Sequence, residues 1–360
     1  MSLTTTLPPF AAIAIAVARP IPPPAPVTTA TFPSSIPIGF LLRIGPRHNA
    51  SERDACHHPG QEERIMELGF LGLGQMGSAI AERLRDAGAT LHLFDPNKAA
   101  LAPFVAKGAI AHASPTGVAD AARIVFACLP SGAICESVAR DVAKGRAVRT
   151  YVEMSTIGGP AQAKVQAIVE AQGITLVDCP ISGGPKGARA GTLTVIVAGP
   201  ESAKEDLRPW LRQIGKNVFE VGEKPGQAQL MKLVNNLINA ANMATAFEAL
   251  VLGAKGGLDP DQMVDILNVS TGQNSATLTK VPRSVLPGTF DYGSSLTIML
   301  KDVVLGLQEA EALGVPMWVH GTVGQLWRFA EQQGLGPADF TSLIKVMEGW
   351  AGVEVRSRQS

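Results

Sequence analysis

Leu68-Gly69-Phe70-Leu71-Gly72-Leu73-Gly74-Gln75-Met76-Gly77-Ser78-Ala79-Ile80 decides how this chain is read. Leu68 to Leu71 is an apolar run of strand length. Three glycines follow in the spacing GxGxxG, and Ser78 to Ala87 has the composition of a helix that stops at Gly88. A strand, a glycine turn and a helix in this order is the setting in which the motif holds a dinucleotide. Glycines permit the tight turn and let backbone approach a pyrophosphate, while the helix N-terminus supplies unpaired N–H groups and positive potential. The next strand, Thr90 to Phe94, ends at Asp95, 18 residues after Gly77. A carboxylate there accepts hydrogen bonds from the adenosine ribose hydroxyls and repels a 2′-phosphate. No arginine follows it, only Pro96, Asn97 and Lys98. The cofactor expected is therefore NAD, with NADP the alternative that Lys98 keeps open.

Outward from this stretch, strand-like runs recur at Ile124–Leu129, Tyr151–Met154, Ile174–Val177, Leu193–Val197 and Val218–Val221, with helical segments between several of them. Such alternation implies a parallel sheet covered on both faces. After Gly226 the period changes. Leu230, Leu233, Val234, Leu237, Ile238, Ala241, Phe247, Leu250 and Val251 recur at helical spacing, with no proline before Pro260. This predicts one helix of nearly thirty residues, about 40 Å long at 1.5 Å per residue, followed only by helices. The fold class expected is α/β, a Rossmann-type doubly wound sheet followed by an all-α C-terminal domain. The expected division is an N-terminal extension at 1–65, a dinucleotide-binding domain at 66–228 and a helical domain at 229–355.

Residues 1–65 hold 11 of the 26 prolines and no acidic residue before Glu52. That composition buries too little apolar surface to offset its ordering entropy, so the extension reads as disordered. Met66 stands directly before the first strand, which also fits a start codon placed too far upstream. An organellar transit peptide is the other alternative to the cytoplasmic location expected here. The 360 residues carry 31 acidic and 31 basic side chains, a balance that argues against a nucleic-acid partner or an anionic membrane surface. No uninterrupted apolar run reaches the roughly 18 residues of a membrane helix. Four cysteines lacking a CxxC pair read as reduced thiols with no metal site, and the His57-His58 pair beside Cys56 adds none.

Two further segments carry chemistry. Ser182-Gly183-Gly184 runs off a strand into a glycine turn, where a hydroxyl beside two glycine N–H groups makes a seat for a carboxylate. An ordinary turn reads the same way. Lys232 and Asn236 lie four apart on the long helix and project from one face among apolar neighbours. A lysine there is either a snorkelling surface residue or a desolvated one whose lowered pKa suits it to proton transfer near neutral pH. Small residues at the helix start, Gly226 and Ala228, favour the second reading.

Together these residues resemble the β-hydroxyacid dehydrogenase family. The resemblance covers residues 66 to about 350 and rests on Gly72–Gly77 (GLGQMG), Ser182–Leu193 (SGGPKGARAGTL), and Gly226, Lys232 and Asn236 in the pattern GxGxxxKxxxN, with Ala228 in place of the second glycine. It implies that Ser182, Gly183 and Gly184 hold the substrate carboxylate, that Lys232 exchanges a proton with the β-hydroxyl oxygen, and that Asn236 orients the substrate. It also implies a cofactor site made of Gly72, Leu73, Gly74, Gln75, Met76, Gly77, Asp95, Leu129, Pro130, Thr156 and Lys301. The substrate implied is a small hydroxyacid or semialdehyde, and the apolar helices suggest a homodimer or homotetramer. An NADPH-dependent semialdehyde reductase and a non-catalytic NAD-binding oligomerisation module are the competing expectations. Two departures stand out. The segment Glu153-Met154-Ser155-Thr156-Ile157-Gly158-Gly159-Pro160 is one residue longer than the family's D-x-S-T-I-x-P, and Ser294 stands where relatives carry a phenylalanine.

Overall fold

The structure is a computed structural model, and it describes residues 66–357; the expectations for residues 1–65, including the His57-His58 pair, lie outside the described residues. The strands are β1 Glu67–Leu71, β2 Thr90–Phe94, β3 Ile110–Ala111, β4 Ile124–Ala127, β5 Thr150–Glu153, β6 Thr175–Asp178, β7 Ile181–Ser182, β8 Thr194–Ala198 and β9 Asn217–Gly222. Around the sheet lie α1 Gln75–Asp86, α2 Lys98–Val105, α3 Pro115–Ala121, α4 Gly132–Val142, α5 Gly159–Glu170, α6 Gly184–Ala190 and α7 Glu201–Ile214. Then come α8 Gln227–Lys255, α9 Pro260–Asn268, a wide-turned helix at Ala276–Val285, α10 Leu296–Ala312, α11 Trp318–Ala330 and α12 Ile344–Ala351.

The strand order is β3-β2-β1-β4-β5-β6-β8-β7, with β9 beside β8. The six strands from β3 to β6 run parallel. β8 joins β6 and β7 antiparallel and β9 parallel, so the sheet is mixed at one end rather than parallel throughout. Chain order reverses between β1 and β4, which opens a crevice at the carboxyl ends of these strands, where doubly wound sheets bind ligands.

The strands explain why both faces are covered. In β4, Ile124 and Phe126 enter one apolar cluster with Leu68, Phe70, Leu84 and Leu93, while Val125 and Ala127 enter another with Leu71, Tyr151 and Val165. Successive side chains point to opposite faces, so a strand apolar at every position must have helices on both sides. Phe70 and Phe126 stack with ring centroids 6.2 Å apart. The two-residue strands β3 and β7 escape sequence reading because neither is long enough to show a period.

The long helix predicted from Leu230 onward is α8, 29 residues from Gln227 to Lys255. One end packs on β6, β8 and β9, and its length also meets α10, α11 and α12. Phe247, Leu250, Val281, Leu296, Trp327, Ile344 and Met347 build a separate helical core around it. By length and composition α8 is also apolar enough to cross a membrane, although its apolar residues are interrupted by buried Gln229, Lys232 and Asn236. The wide-turned helix Ala276–Val285 was not legible in the sequence, where Pro282 argues against any helix.

Candidate active site

The glycine turn is shaped by contact with its surroundings. A Cβ at Gly77 would lie 1.9 Å from the carbonyl oxygen of Gly72, and one at Gly72, whose φ is +89°, would lie 2.4 Å from that of Cys128. Neither position admits a side chain, and α1 therefore starts directly against β1. At Gly74 nothing lies within 4 Å of the Cβ position: this is the open side of the cradle. α1 begins at Gln75, inside the motif, so its unpaired N–H groups belong to the cradle residues. Gln75 is exposed, whereas Leu73 is buried and Met76 packs on the sheet core. Asp95 closes the turn from β2: its Oδ2 accepts from Leu73 N at 2.6 Å and its Oδ1 from Asn97 N at 2.7 Å. Each carboxylate oxygen keeps lone-pair capacity beyond these bonds. A tight turn, an open glycine face and an anchored carboxylate fit an adenine dinucleotide.

The loops after β4 and β5 lie beside it. Leu129, half-buried, donates its N–H to Ser155 Oγ at 2.7 Å, and Pro130 is exposed beyond it. The carbonyl of Thr156 accepts from Lys301 Nζ of α10 at 2.6 Å. At the start of α5, Gly159 N donates to the Glu309 carboxylate of α10.

A buried clasp joins this loop to α8. Gln229 Oε1 accepts from Ile157 N at 2.9 Å and Gly158 N at 3.1 Å, while its Nε2 donates to Ser155 O at 2.9 Å and Asp178 Oδ1 at 2.8 Å. Asp178 Oδ2 also accepts from Gly226 N at 2.8 Å and Gln229 N at 2.9 Å, which ties the first turn of α8 to the end of β6. Burial nonetheless raises the Asp178 carboxyl to about 6. Gln229 lies one turn before Lys232, so the clasp fixes where that lysine sits. Neither Gln229 nor Asp178 was singled out from the sequence. The available signal was the spacing of Gln229, Lys232 and Asn236 along one face of the helix.

Lys232 is 7% exposed. Burial lowers its pKa to about 8; the negative charge of Asp302 pulls the other way, and the Lys301 ammonium adds to the lowering. Asn236 Nδ2 donates to Asp302 Oδ2 at 2.6 Å, and Lys301 Nζ pairs with Asp302 Oδ1 at 3.0 Å. Lys232, Asn236, Asp302 and Lys301 therefore form one polar cluster between α8 and α10, and Lys301 links it to the Thr156 loop. The desolvated reading of Lys232 holds over the snorkelling one. Ala228 is small for a different reason from the one expected: it is fully buried against Ile196 and Ala198.

Ser182, Gly183 and Gly184 end β7 and begin α6, with Gly183 and Gly184 at φ +134° and +67°. Among the described residues they form no hydrogen bond with Lys232 or Asn236; Asp178, at the end of β6 just before them, makes the connection through Gly226. Ser294 is held by its backbone, donating to Asp339 Oδ2 at 3.3 Å and accepting from Phe340 N at 2.8 Å.

A mainly parallel doubly wound sheet with a dinucleotide cradle, joined to helices that carry a buried lysine, defines a nicotinamide-dinucleotide-dependent oxidoreductase. Comparison with known proteins agrees. Residues 67–222 match the NAD binding domain of 6-phosphogluconate dehydrogenase, and residues 226–347 match the family described as NAD-binding of NADP-dependent 3-hydroxyisobutyrate dehydrogenase. The chain is 36% identical to 2-(hydroxymethyl)glutarate dehydrogenase of Eubacterium barkeri, over 82% of this chain and all of that protein. It is 33% identical to 3-hydroxyisobutyrate dehydrogenase of Pseudomonas aeruginosa, over 79% of this chain and 99% of the relative. The solved structure of Mycobacterium tuberculosis 3-hydroxyisobutyrate dehydrogenase with L-serine superimposes with a TM-score of 0.73 at 29% identity, covering 79% of this chain and 99% of that one. The chain belongs to the β-hydroxyacid dehydrogenase family, and it is an NAD(P)-using oxidoreductase.

Proposed function

We propose that the protein oxidises the β-hydroxyl of a small hydroxycarboxylic acid, with NAD preferred over NADP and Lys232 as general acid/base. The observation that carries this reading is the buried Lys232 ammonium, lowered to about 8 within the Asn236–Asp302–Lys301 cluster. A base of that pKa is neutral in a useful fraction of molecules near pH 8 and can accept a proton without a large penalty. The substrate carboxylate sits on Ser182 and the N–H groups of Gly183 and Gly184. Lys232 removes the hydroxyl proton as the C–O single bond becomes a carbonyl. NAD, when bound, takes up the hydride that leaves the same carbon. In the reverse direction the Lys232 ammonium returns the proton to the oxygen where negative charge develops, which is semialdehyde reduction.

The NAD preference is supported by Asp95, anchored at 2.6 Å to Leu73 N and unable to move aside for a 2′-phosphate without breaking that bond. Exposed Leu230, Met231, Val234 and Ile238 on α8 support the reading of a homodimer or homotetramer. The test is absorbance at 340 nm with NAD and then NADP on 3-hydroxyisobutyrate, serine and 2-(hydroxymethyl)glutarate, for the native protein and Lys232→Ala. Turnover with NAD that the substitution reduces on the order of 10³-fold is the expected result. No turnover on any hydroxyacid or semialdehyde, or equal rates for the two proteins, overturns the reading.

A further inference from the structure

The polar stripe of α8 continues past Asn236. Asn239 lies on the same face, three residues on, and its Oδ1 accepts from Ser275 Oγ at 3.2 Å. Ser275 leads into the wide-turned helix, and its Oγ and carbonyl oxygen accept from Lys280 Nζ at 3.2 and 3.3 Å. The same ammonium lies 5.4 Å from the ring centroid of Tyr292, whose hydroxyl is 3.2 Å from Thr279 Oγ1. Lys280 is 5% exposed, as buried as Lys232. Its partners are a hydroxyl, a carbonyl and an aromatic ring, all neutral. Burial lowers its pKa to about 8, and among the described residues no acidic group offsets the effect. A buried cation without a counter-charge is costly, and a bound anion removes that cost.

The position of this cation relative to the chemistry is set by the helix. Lys232 and Asn239 are seven residues apart, roughly 10 Å along α8 at 1.5 Å per residue. The hydrogen bonds from Thr289 and Ser284 hold the Asp291 carboxyl, beside Tyr292, below its usual range, and the positive charge of Lys186, two residues past the Ser182–Gly184 turn, adds to the lowering. Through Ser275 and Asn239, the buried Lys280 is thus tied to the same polar stripe of α8 that carries Lys232 and Asn236.

We propose that Lys280, with Ser275 and Tyr292, binds a second carboxylate at the far end of the substrate, and that the preferred substrates are therefore β-hydroxy dicarboxylic acids. This rests on the reading of Lys232 as the site of proton transfer. One ammonium flanked by two hydroxyls matches a singly charged carboxylate, and the acidic Asp291 next to Tyr292 disfavours a phosphate dianion.

The test uses the full chain in two arms. In the first, kcat/KM with NAD is measured for 2-(hydroxymethyl)glutarate and for 2-(hydroxymethyl)pentanoate, which has a methyl in place of the distal carboxylate. The native protein is expected to prefer the diacid. Lys280→Met should lower the diacid-to-monoacid ratio about 10- to 100-fold, the loss expected for a charged hydrogen-bonded partner in a binding pocket, and Lys280→Arg should restore part of it. In the second arm, calorimetry on the protein with NAD compares glutarate, pentanoate and inorganic phosphate. Glutarate should bind more tightly than both, with the advantage lost in Lys280→Met. A native protein with no preference for the diacid, or with phosphate bound more tightly than glutarate, overturns the proposal even if the Met variant fails to fold. Turnover of the monoacid alone leaves the general function standing and removes the dicarboxylate class. Binding of glutarate that depends on Lys280, with no turnover of any hydroxyacid, keeps the anion site and removes the function proposed above.

Discussion

Replacing Lys232 by methionine should make the protein more stable while it abolishes most activity. Moving a buried ammonium from its ordinary value of 10.5 to about 8 corresponds to about 3 kcal/mol, at about 1.4 kcal/mol for each tenfold change in proton affinity. The sign follows from proton counts. Between about pH 8 and pH 10.5 the unfolded chain holds a proton at this position that the folded protein has released, so stability rises with pH across that window. Below pH 8 the folded protein carries the full cost of the buried charge. Methionine keeps the length of the side chain and removes the charge. It leaves Asp302 paired with Lys301 at 3.0 Å and with Asn236 at 2.6 Å, so no buried carboxylate is orphaned. For a chain of this size about 3 kcal/mol raises the thermal midpoint by about 5 °C. The assay is thermal unfolding followed by circular dichroism for both proteins at pH 7, 9 and 10.5, beside turnover at 340 nm. The variant should gain about 5 °C at pH 7, the gain should fade towards pH 10.5, and kcat should fall on the order of 10³-fold. A variant no more stable than the native protein at pH 7, or a difference that does not change with pH, would refute the claim that burial tunes this lysine at the expense of stability.

Three other substitutions probe the rest of the site. Gln229→Ala should cost about 3 kcal/mol or more, because it strands the buried N–H groups of Ile157 and Gly158 and one oxygen of Asp178; a urea midpoint near that of the native protein would show that the clasp is dispensable. Gly77→Ala should weaken NAD binding more than about tenfold, since its Cβ would stand 1.9 Å from Gly72 O and must push the helix start off the cradle; an unchanged dissociation constant in a fluorescence titration counts against the cradle. Asp95→Ala should narrow the ratio of NAD to NADP efficiency, and an unaltered ratio would place the ribose elsewhere.

The strand–helix alternation and the glycine turn were legible along the sequence because both are local. A strand such as Ile124–Ala127, apolar at every position, must have cover on both faces. The glycines of Gly72–Gly77 carry their backbone requirement in their own identity. The helix from Gln227 to Lys255 was visible in the spacing of Leu233, Leu237 and Phe247, and so were Lys232 and Asn236 on one of its faces. The sequence did not show β3 and β7, too short for a period, or the helix at Ala276–Val285, which contains Pro282. Nor did it show the partners of the chemistry. Gln229 meets Ser155 and Ile157 from more than seventy residues away, Asn236 meets Asp302, and Lys280 is left buried without a counter-charge among the described residues only once the chain has folded. Composition and periodicity set which residues are buried. What a buried polar group bonds to, and therefore its charge at neutral pH, depends on contacts between distant segments that only the tertiary structure brings together.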